Sequence, residues 1–496
     1  MIEQCVLIDF SADRGLQEQL REGLVSMILA GRFLADEPMP SCRSLSEQLG
    51  VSRNTVALVY ESLRDDGYLI SRPRSGYYID PRYLPRPGAP EAPVALGATP
   101  DASAPNWGNM FKLCPTDLVV ITKPAQWMRY EHPFIYGQPD TSLFPMEQWR
   151  EASRKVMGGL RDHDWLLDQV DQDCPMLIEQ LRTRVLPKRG ITARDDEILI
   201  TLGSQNALSM LAQLLMDRQT RIGVENPCFR EAINTFALQG CQLVPHHVDD
   251  EGLVLGPESA SCQFFYVTPS HQAPTGVLMS NARRQALLQQ AMRHNQILIE
   301  DDYDSETNIE THPKPALKAH DQHGRVIYVG SLSKALAPGL RLGYLVGPAE
   351  LIDELRALRR LLYRHPPANI QYQMAYFLAQ GHYDSFLRRY REHSTYRWSL
   401  LGEALDKYLP QCQHNANRAS AFWLEAPSQL NSQKLAWRAA HAGVLIEPGQ
   451  GHFLGADAPQ HCFRLGFHAI RPEAIRPGII KLADALEKEL LRCEQG

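Results

Sequence analysis

A proline- and alanine-rich stretch at residues 81–105 decides how this chain can divide. PRYLPRPGAPEAPVALGATPDASAP holds seven prolines and six alanines and has neither helical nor strand periodicity. Each proline removes a backbone donor and fixes φ, so the stretch suits neither a helix interior nor a central strand. It also lacks the apolar surface to fold alone. It reads as a semi-rigid linker, taken as 81–112, between a unit at 1–80 and a larger one at 113–496. A proline-rich surface loop is the plainer alternative.

Ahead of the linker, apolar residues follow helical spacing. Leu16, Leu20, Leu24, Met27 and Ile28 make one stripe, closed by Gly31. Ser44-Leu45-Ser46-Glu47 reads as a capping box opening a second helix that stops at Gly50. Ser52 can cap a third helix, with Val56, Val59, Tyr60 and Leu63 inward and Gly67 ending it. Tyr68-Leu69-Ile70 and Tyr77-Tyr78-Ile79 then read as strands around Arg72-Pro73-Arg74-Ser75-Gly76. Three helices and a hairpin make a winged helix-turn-helix. In that motif the start of the second of the paired helices meets major-groove base edges and phosphates. Arg53 and Asn54 suit base edges, and Ser52 and Thr55 suit phosphate. Arg43, placed just ahead of the second helix, and Arg72, Arg74 and Gly76 in the wing would flank the groove. A small helical oligomerisation module is the alternative. Residues 1–80 carry eight Arg, no Lys and twelve acids, and the whole chain is formally −6. Binding to double-stranded DNA would therefore rest on a few placed arginines, not on a general basic field.

Beyond the linker, short apolar runs alternate with helical segments. The runs are 197–201, 221–225, 263–268, 296–300, 326–330 and 343–347; segments such as 204–215 and 281–294 are long enough to be crossover helices. This rhythm predicts an α/β unit with a mostly parallel sheet covered on both faces. The expected division is a large domain at 113–375, then a helical connection and small subdomain at 376–496.

The segment Ser331-Leu332-Ser333-Lys334-Ala335-Leu336-Ala337-Pro338-Gly339-Leu340-Arg341-Leu342-Gly343 follows one of the apolar runs. It places a lysine at a strand's carboxyl end, where open α/β sheets bind ligands. Ser331, Ser333 and Arg341 are phosphate donors around it. Thirty-odd residues earlier, Ile297-Leu298-Ile299-Glu300-Asp301-Asp302-Tyr303-Asp304 is a strand ending in acids. Alone, that cluster equally suits a solvated loop or a divalent metal. With the lysine loop, the set meets the needs of pyridoxal phosphate: an amine for its aldehyde, an acid for its ring nitrogen, donors for its phosphate. Gly203, Ser204 and Gln205 open a helix after another strand, a phosphate cradle. Phe229 is placed to stack on a ring or to fill the core. Arg464, in the apolar Phe463-Arg464-Leu465-Gly466-Phe467, demands an acidic partner, either an effector's or an internal one. No metal-ligand spacing stands out.

Residues 14–80 resemble the GntR class of winged-helix regulators through Met39-Pro40-Ser41-Cys42-Arg43-Ser44-Leu45, Leu49-Gly50-Val51-Ser52-Arg53-Asn54-Thr55-Val56, Gly67-Tyr68-Leu69 and Ser75-Gly76-Tyr77-Tyr78. From about Tyr136 onward the chain resembles the fold-type I aminotransferases. Together, and with Pro269-Ser270-His271-Gln272-Ala273-Pro274-Thr275-Gly276, they look like the MocR subfamily of GntR regulators. The resemblance implies Lys334 bonded to pyridoxal 5′-phosphate, Asp301 at the pyridine nitrogen, Tyr303 at the phenolic oxygen and Arg464 at the effector carboxylate. It implies a homodimeric transcription regulator, not an enzyme, that senses a small amino compound through external aldimine formation. A working aminotransferase with an appended reader is the alternative. Two departures stand out. Ala273 replaces the asparagine of the aminotransferases. His163-Asp164-Trp165 and Cys174-Pro175-Met176 replace a tyrosine-and-glycine stretch, which leaves partner-subunit contacts to the phosphate unassigned.

Ten scattered cysteines without a CxxC pair fit reduced thiols in the cytoplasm. No long apolar run and no basic n-region predict neither a membrane span nor a signal peptide.

Overall fold

A computed structural model describes all residues except 1–7, 9, 12, 34–36, 84–104, 160–164, 307, 308, 310–313, 416–418 and 496. Most of the expected linker, and His163 and Asp164, lie outside the described residues. The chain forms two compact units, Met1–Met110 and Phe111–Gly496.

In the first unit, α1 (Leu16–Leu29), α2 (Cys42–Leu49) and α3 (Arg53–Asp65) precede a hairpin of β1 (Leu69–Arg72) and β2 (Gly76–Ile79). The α3 stripe of Val56, Val59, Tyr60 and Leu63 is buried with Leu20, Leu24, Ile28 and Leu45 in one core. Leu16 stands outside it, about half exposed. Ser52 caps α3 as its position suggested, its Oγ accepting from the Thr55 amide at 3.1 Å. The start of α2 differs from expectation. Ser41, not Ser44, is the cap, accepting from the Ser44 amide at 3.1 Å. Arg43 therefore lies within the first turn of α2, where its Nε donates to Glu47 at 3.0 Å.

The second unit is built on an eight-stranded sheet. Its spatial order is Ile198–Thr201, Gly343–Val346, Val326–Ser331, Ile297–Asp302, Phe264–Val267, Arg221–Asn226, Gln242–Asp249 and Gly252–Leu253. The five strands from Val326–Ser331 to Gln242–Asp249 run parallel. Gly343–Val346 is antiparallel to both of its neighbours. The strands Ile198–Thr201, Phe264–Val267 and Gly343–Val346 are apolar and almost wholly buried because both faces are covered. In Ile198–Thr201, Ile198 and Ile200 join one core while Leu199 joins the opposite one with Ala207, Leu211 and Val329.

The C-terminal part holds a four-stranded antiparallel sheet in the order Gln413–His414, Ala421–Glu425, Cys462–Gly466, Glu447–Pro448. Phe422, Leu424, Phe463 and Leu465 pack there against the helices His382–Tyr408 and Pro472–Gln495. Side chains alternate across a strand, so Arg464 faces away from that core. It stands directly opposite Glu447 in the neighbouring strand. Among the described residues no helix is long and apolar enough to cross a membrane.

Candidate functional site

The strand Val326–Ser331 delivers the chain to a short helix, Ser333–Leu336, that carries Lys334. Ser333 fastens this loop: its Oγ accepts from the Leu342 amide at 2.5 Å and donates to the Leu342 carbonyl at 2.8 Å. The Lys334 ammonium donates to the Tyr136 hydroxyl, lies 3.8 Å from the centre of the Tyr303 ring, and stands 3.7 Å from Asp304. Burial disfavours its charge and lowers its pKa to about 8, although Asp304 pulls the other way. An amine near neutrality is a competent nucleophile.

Lys334 lines a cavity of about 260 Å³ that also gathers Gly203, Ser204, Phe229, Asp301, Tyr303, Ser331, Ser333, Arg341 and Arg464, all singled out from the sequence. Asp301 Oδ2 accepts from the Tyr266 hydroxyl at 2.8 Å, while its Oδ1 is buried without a hydrogen-bond partner among the described residues. Burial raises this carboxyl to about 6. Such an oxygen is costly unless a donor from a ligand completes it. Behind it, Glu225 accepts from Thr268 Oγ1 at 2.6 Å and is raised by burial to about 7.

At the other end, Gly203, with φ +82°, precedes the helix Ser204–Leu215. That φ favours glycine, and a Cβ there would press on the Arg341 guanidinium at 3.0 Å from Nη2. Arg341 donates to the Leu202 carbonyl at 3.1 Å. Ser204, Ser331 and Arg341 line this end of the cavity, and a helix start beside a guanidinium favours negative charge. Gln205 does not join them with its side chain, which donates to Thr235 Oγ1 at 2.7 Å on the next helix. Phe229 lines the cavity and also packs against the sheet core.

Arg464 already has an internal acid. It forms a buried ion pair with Glu447, and its guanidinium lies 3.8 Å from the centre of the Tyr136 ring. Burial alone would raise the Glu447 carboxyl, but Arg464, His452 and Lys123 outweigh it and hold the group at about 2. Sequence reasoning missed Lys123, Tyr136, Glu447 and His452, all of which line the cavity.

In the first unit, Arg53 and Asn54 project exposed from the first turn of α3. Ser52 and Thr55 spend their hydroxyls on each other at 2.8 Å. Arg43 is exposed, and the Arg72 guanidinium sits 4.1 Å from the centre of the Tyr78 ring. Arg74, with φ +61°, and Gly76, with φ +107°, shape the turn of the wing.

Two family descriptions match this chain. Residues 16–79 match the bacterial regulatory proteins of the gntR family, and residues 137–476 match aminotransferase class I and II. The HTH-type transcriptional regulator TauR of Rhodobacter capsulatus is 37% identical over 95% of this chain and 96% of its own. The probable rhizopine catabolism regulatory protein MocR of Rhizobium meliloti is 32% identical over 97% of this chain and 95% of its own. Among solved structures, the α-aminoadipate aminotransferase LysN of Thermus thermophilus is 26% identical. It superposes with a TM-score of 0.70 over 78% of this chain and 99% of that one.

Proposed function

This chain belongs to the GntR family of bacterial regulators, in the MocR-type branch that carries an aminotransferase class I and II domain, and from that premise we propose that its larger unit binds pyridoxal 5′-phosphate and uses it to sense a small amino compound. The chain is a transcription regulator. One observation carries the cofactor reading: a buried carboxylate oxygen without a partner among the described residues, Asp301 Oδ1, shares a cavity with the near-neutral amine of Lys334 and the Arg341 guanidinium.

Those residues fit the group. Lys334 would take its aldehyde, Asp301 its ring nitrogen and Tyr303 its phenolic oxygen. Gly203, Ser204, Ser331 and Arg341 would hold the phosphate, with Phe229 beside the ring. When bound, the cofactor supplies a carbonyl that a primary amine can attack and a ring that withdraws electrons. The chain's own residues then bind and orient. Tyr136 accepts a hydrogen bond from the Lys334 ammonium, and Asp304 keeps a compensating charge near it.

Sensing requires that the amino compound bind one state of the protein better than another, because only differential affinity shifts an equilibrium. The readout would be DNA held by Arg53, Asn54 and Arg43 of the winged helix, with Arg72, Arg74 and Gly76 in the wing. We place the protein in the cytoplasm as a homodimer, the closed two-fold state in which each copy offers one reader to a half-site. The test is the purified chain itself. It should carry the cofactor and shift its own upstream DNA in a gel. Steady release of a keto acid from amino donors, with no effect on DNA, would favour the enzyme instead.

A further inference from the structure

One side chain of α3 is neither core nor polar. Leu58 is 51% exposed and stands apart from the core that takes Val56, Val59, Tyr60 and Leu63. The other large apolar side chains exposed on the described helices α1 to α3, Leu16 and Leu29, stand at the two ends of α1. A lone exposed leucine is ordinary on a protein surface. The place of this one is not.

An α-helix brings residues three and four apart onto one face. Opposite its buried stripe, that face of α3 runs Asn54, Leu58, Glu61 and Asp65, all exposed. Phosphates repel the two acids, so the part of α3 that enters a groove ends at Leu58. Leu58 stands one turn beyond Asn54, about 6 Å along the axis at about 1.5 Å per residue. Bases along a strand are spaced about 3.4 Å apart. A helix lying along the groove therefore carries Leu58 over a base pair one or two steps from the pair that faces Asn54.

In the major groove thymine alone presents a methyl group, and the other three bases present only donors and acceptors. Leucine over those polar edges would take them from water without replacing the lost hydrogen bond. Against a methyl it buries apolar surface instead. Thr55 and Ala57 also carry methyl groups on this helix, but both are half-buried.

We infer that Leu58 reads a thymine methyl in the major groove, fixing an A·T pair one or two steps from the base pair that Asn54 faces. The inference rests on the winged helix being the DNA reader.

The test uses the full-length, cofactor-loaded chain and duplexes that wild type selects from a random pool. Affinities come from anisotropy at fixed salt for wild type, Leu58→Ala and Arg53→Ala. Each thymine of the selected site is replaced in turn by uracil, which keeps every hydrogen-bonding group and lacks only the methyl. Wild type should lose about three- to fourfold at one thymine in each half-site, the worth of one buried methyl. Leu58→Ala should bind the thymine and uracil duplexes there within about 1.5-fold of each other. Its own selection from the pool should no longer fix that position while keeping the rest. Circular dichroism verifies that each variant is folded. A uracil loss as large in Leu58→Ala as in wild type gives the methyl to another residue and overturns the inference. So does a wild type indifferent to every thymine methyl. If either result comes with an Arg53→Ala that still weakens binding, this inference alone falls. If Arg53→Ala and Leu58→Ala both bind and select as wild type does, or the pool yields no preferred sequence, the winged helix is not the reader.

Discussion

Replacing Asp301 by Asn should stabilise the cofactor-free protein while weakening its hold on the cofactor. The Asp301 carboxyl is 2% exposed, and burial raises its pKa from 3.8 to about 6. A group whose folded pKa lies above its unfolded one favours the folded state in its protonated form. That advantage is lost as pH climbs through the window between the two values. By linkage, ionised Asp301 costs the folded state about 3 kcal/mol at pH 8 and about half as much at pH 5. Asn carries no charge and keeps an oxygen for the Tyr266 hydroxyl, so it avoids the cost. Spread over the roughly 2.1 cal/mol/K per residue of unfolding entropy in the Phe111–Gly496 unit, the gain is about 4 °C at pH 8 and about 2 °C at pH 5. Calorimetry of the cofactor-free chain reads both. The same variant loses the charge-assisted bond from Oδ1 to the protonated ring nitrogen, about 1.5–3 kcal/mol, so cofactor affinity should fall roughly 10- to 150-fold in an absorbance titration. If Asp301→Asn neither gains stability at pH 8 nor loses cofactor, the carboxylate does not face the ring and the reasoning fails.

Lys334 should become the site of covalent attachment, shown by borohydride trapping and peptide mass, and Lys334→Ala should give no trapped peptide. Its folded pKa, lowered to about 8, means the attachment rate should climb about tenfold per pH unit below 8 and level off above it, read by stopped-flow absorbance. In anisotropy titrations at fixed salt, Arg53→Ala should cost about 1–3 kcal/mol and relax sequence preference. Arg72→Ala should weaken all sequences alike. Sedimentation should find a homodimer when the cofactor is bound; a cofactor-loaded monomer would contradict the two-fold arrangement.

How legible the site was depended on whether its residues arrive together in sequence. Lys334, Ser331, Ser333 and Arg341 sit within one strand-to-loop passage, and Asp301 and Tyr303 end another, so strand pattern and residue chemistry sufficed. Tyr136 meets Lys334 across 198 positions, and no local pattern marks it. Glu447 was hidden for a related reason: only the register of two antiparallel strands sets it opposite Arg464. The demand of Arg464 for an acid was legible, but not that the acid was internal. The strand Gln242–Asp249 escaped notice because Pro245 and His247 face outward, leaving only Val244 and His246 buried at its centre. At α2, Ser41 and Ser44 are both capping residues, and only the observed bond from Ser41 decides which one opens the helix.

The central claim is that an amine acting at Lys334 changes how the chain holds DNA. The direct measurement is the affinity of the cofactor-loaded chain for its own upstream DNA, by anisotropy, with a panel of amino acids and simple primary amines as probes offered in turn to wild type and to Lys334→Ala. An effect of about fivefold or more from at least one probe in wild type, absent in Lys334→Ala, is the predicted result, since couplings between sites run to about 1–3 kcal/mol. DNA affinity that no amine alters, alongside steady keto-acid release, would contradict it.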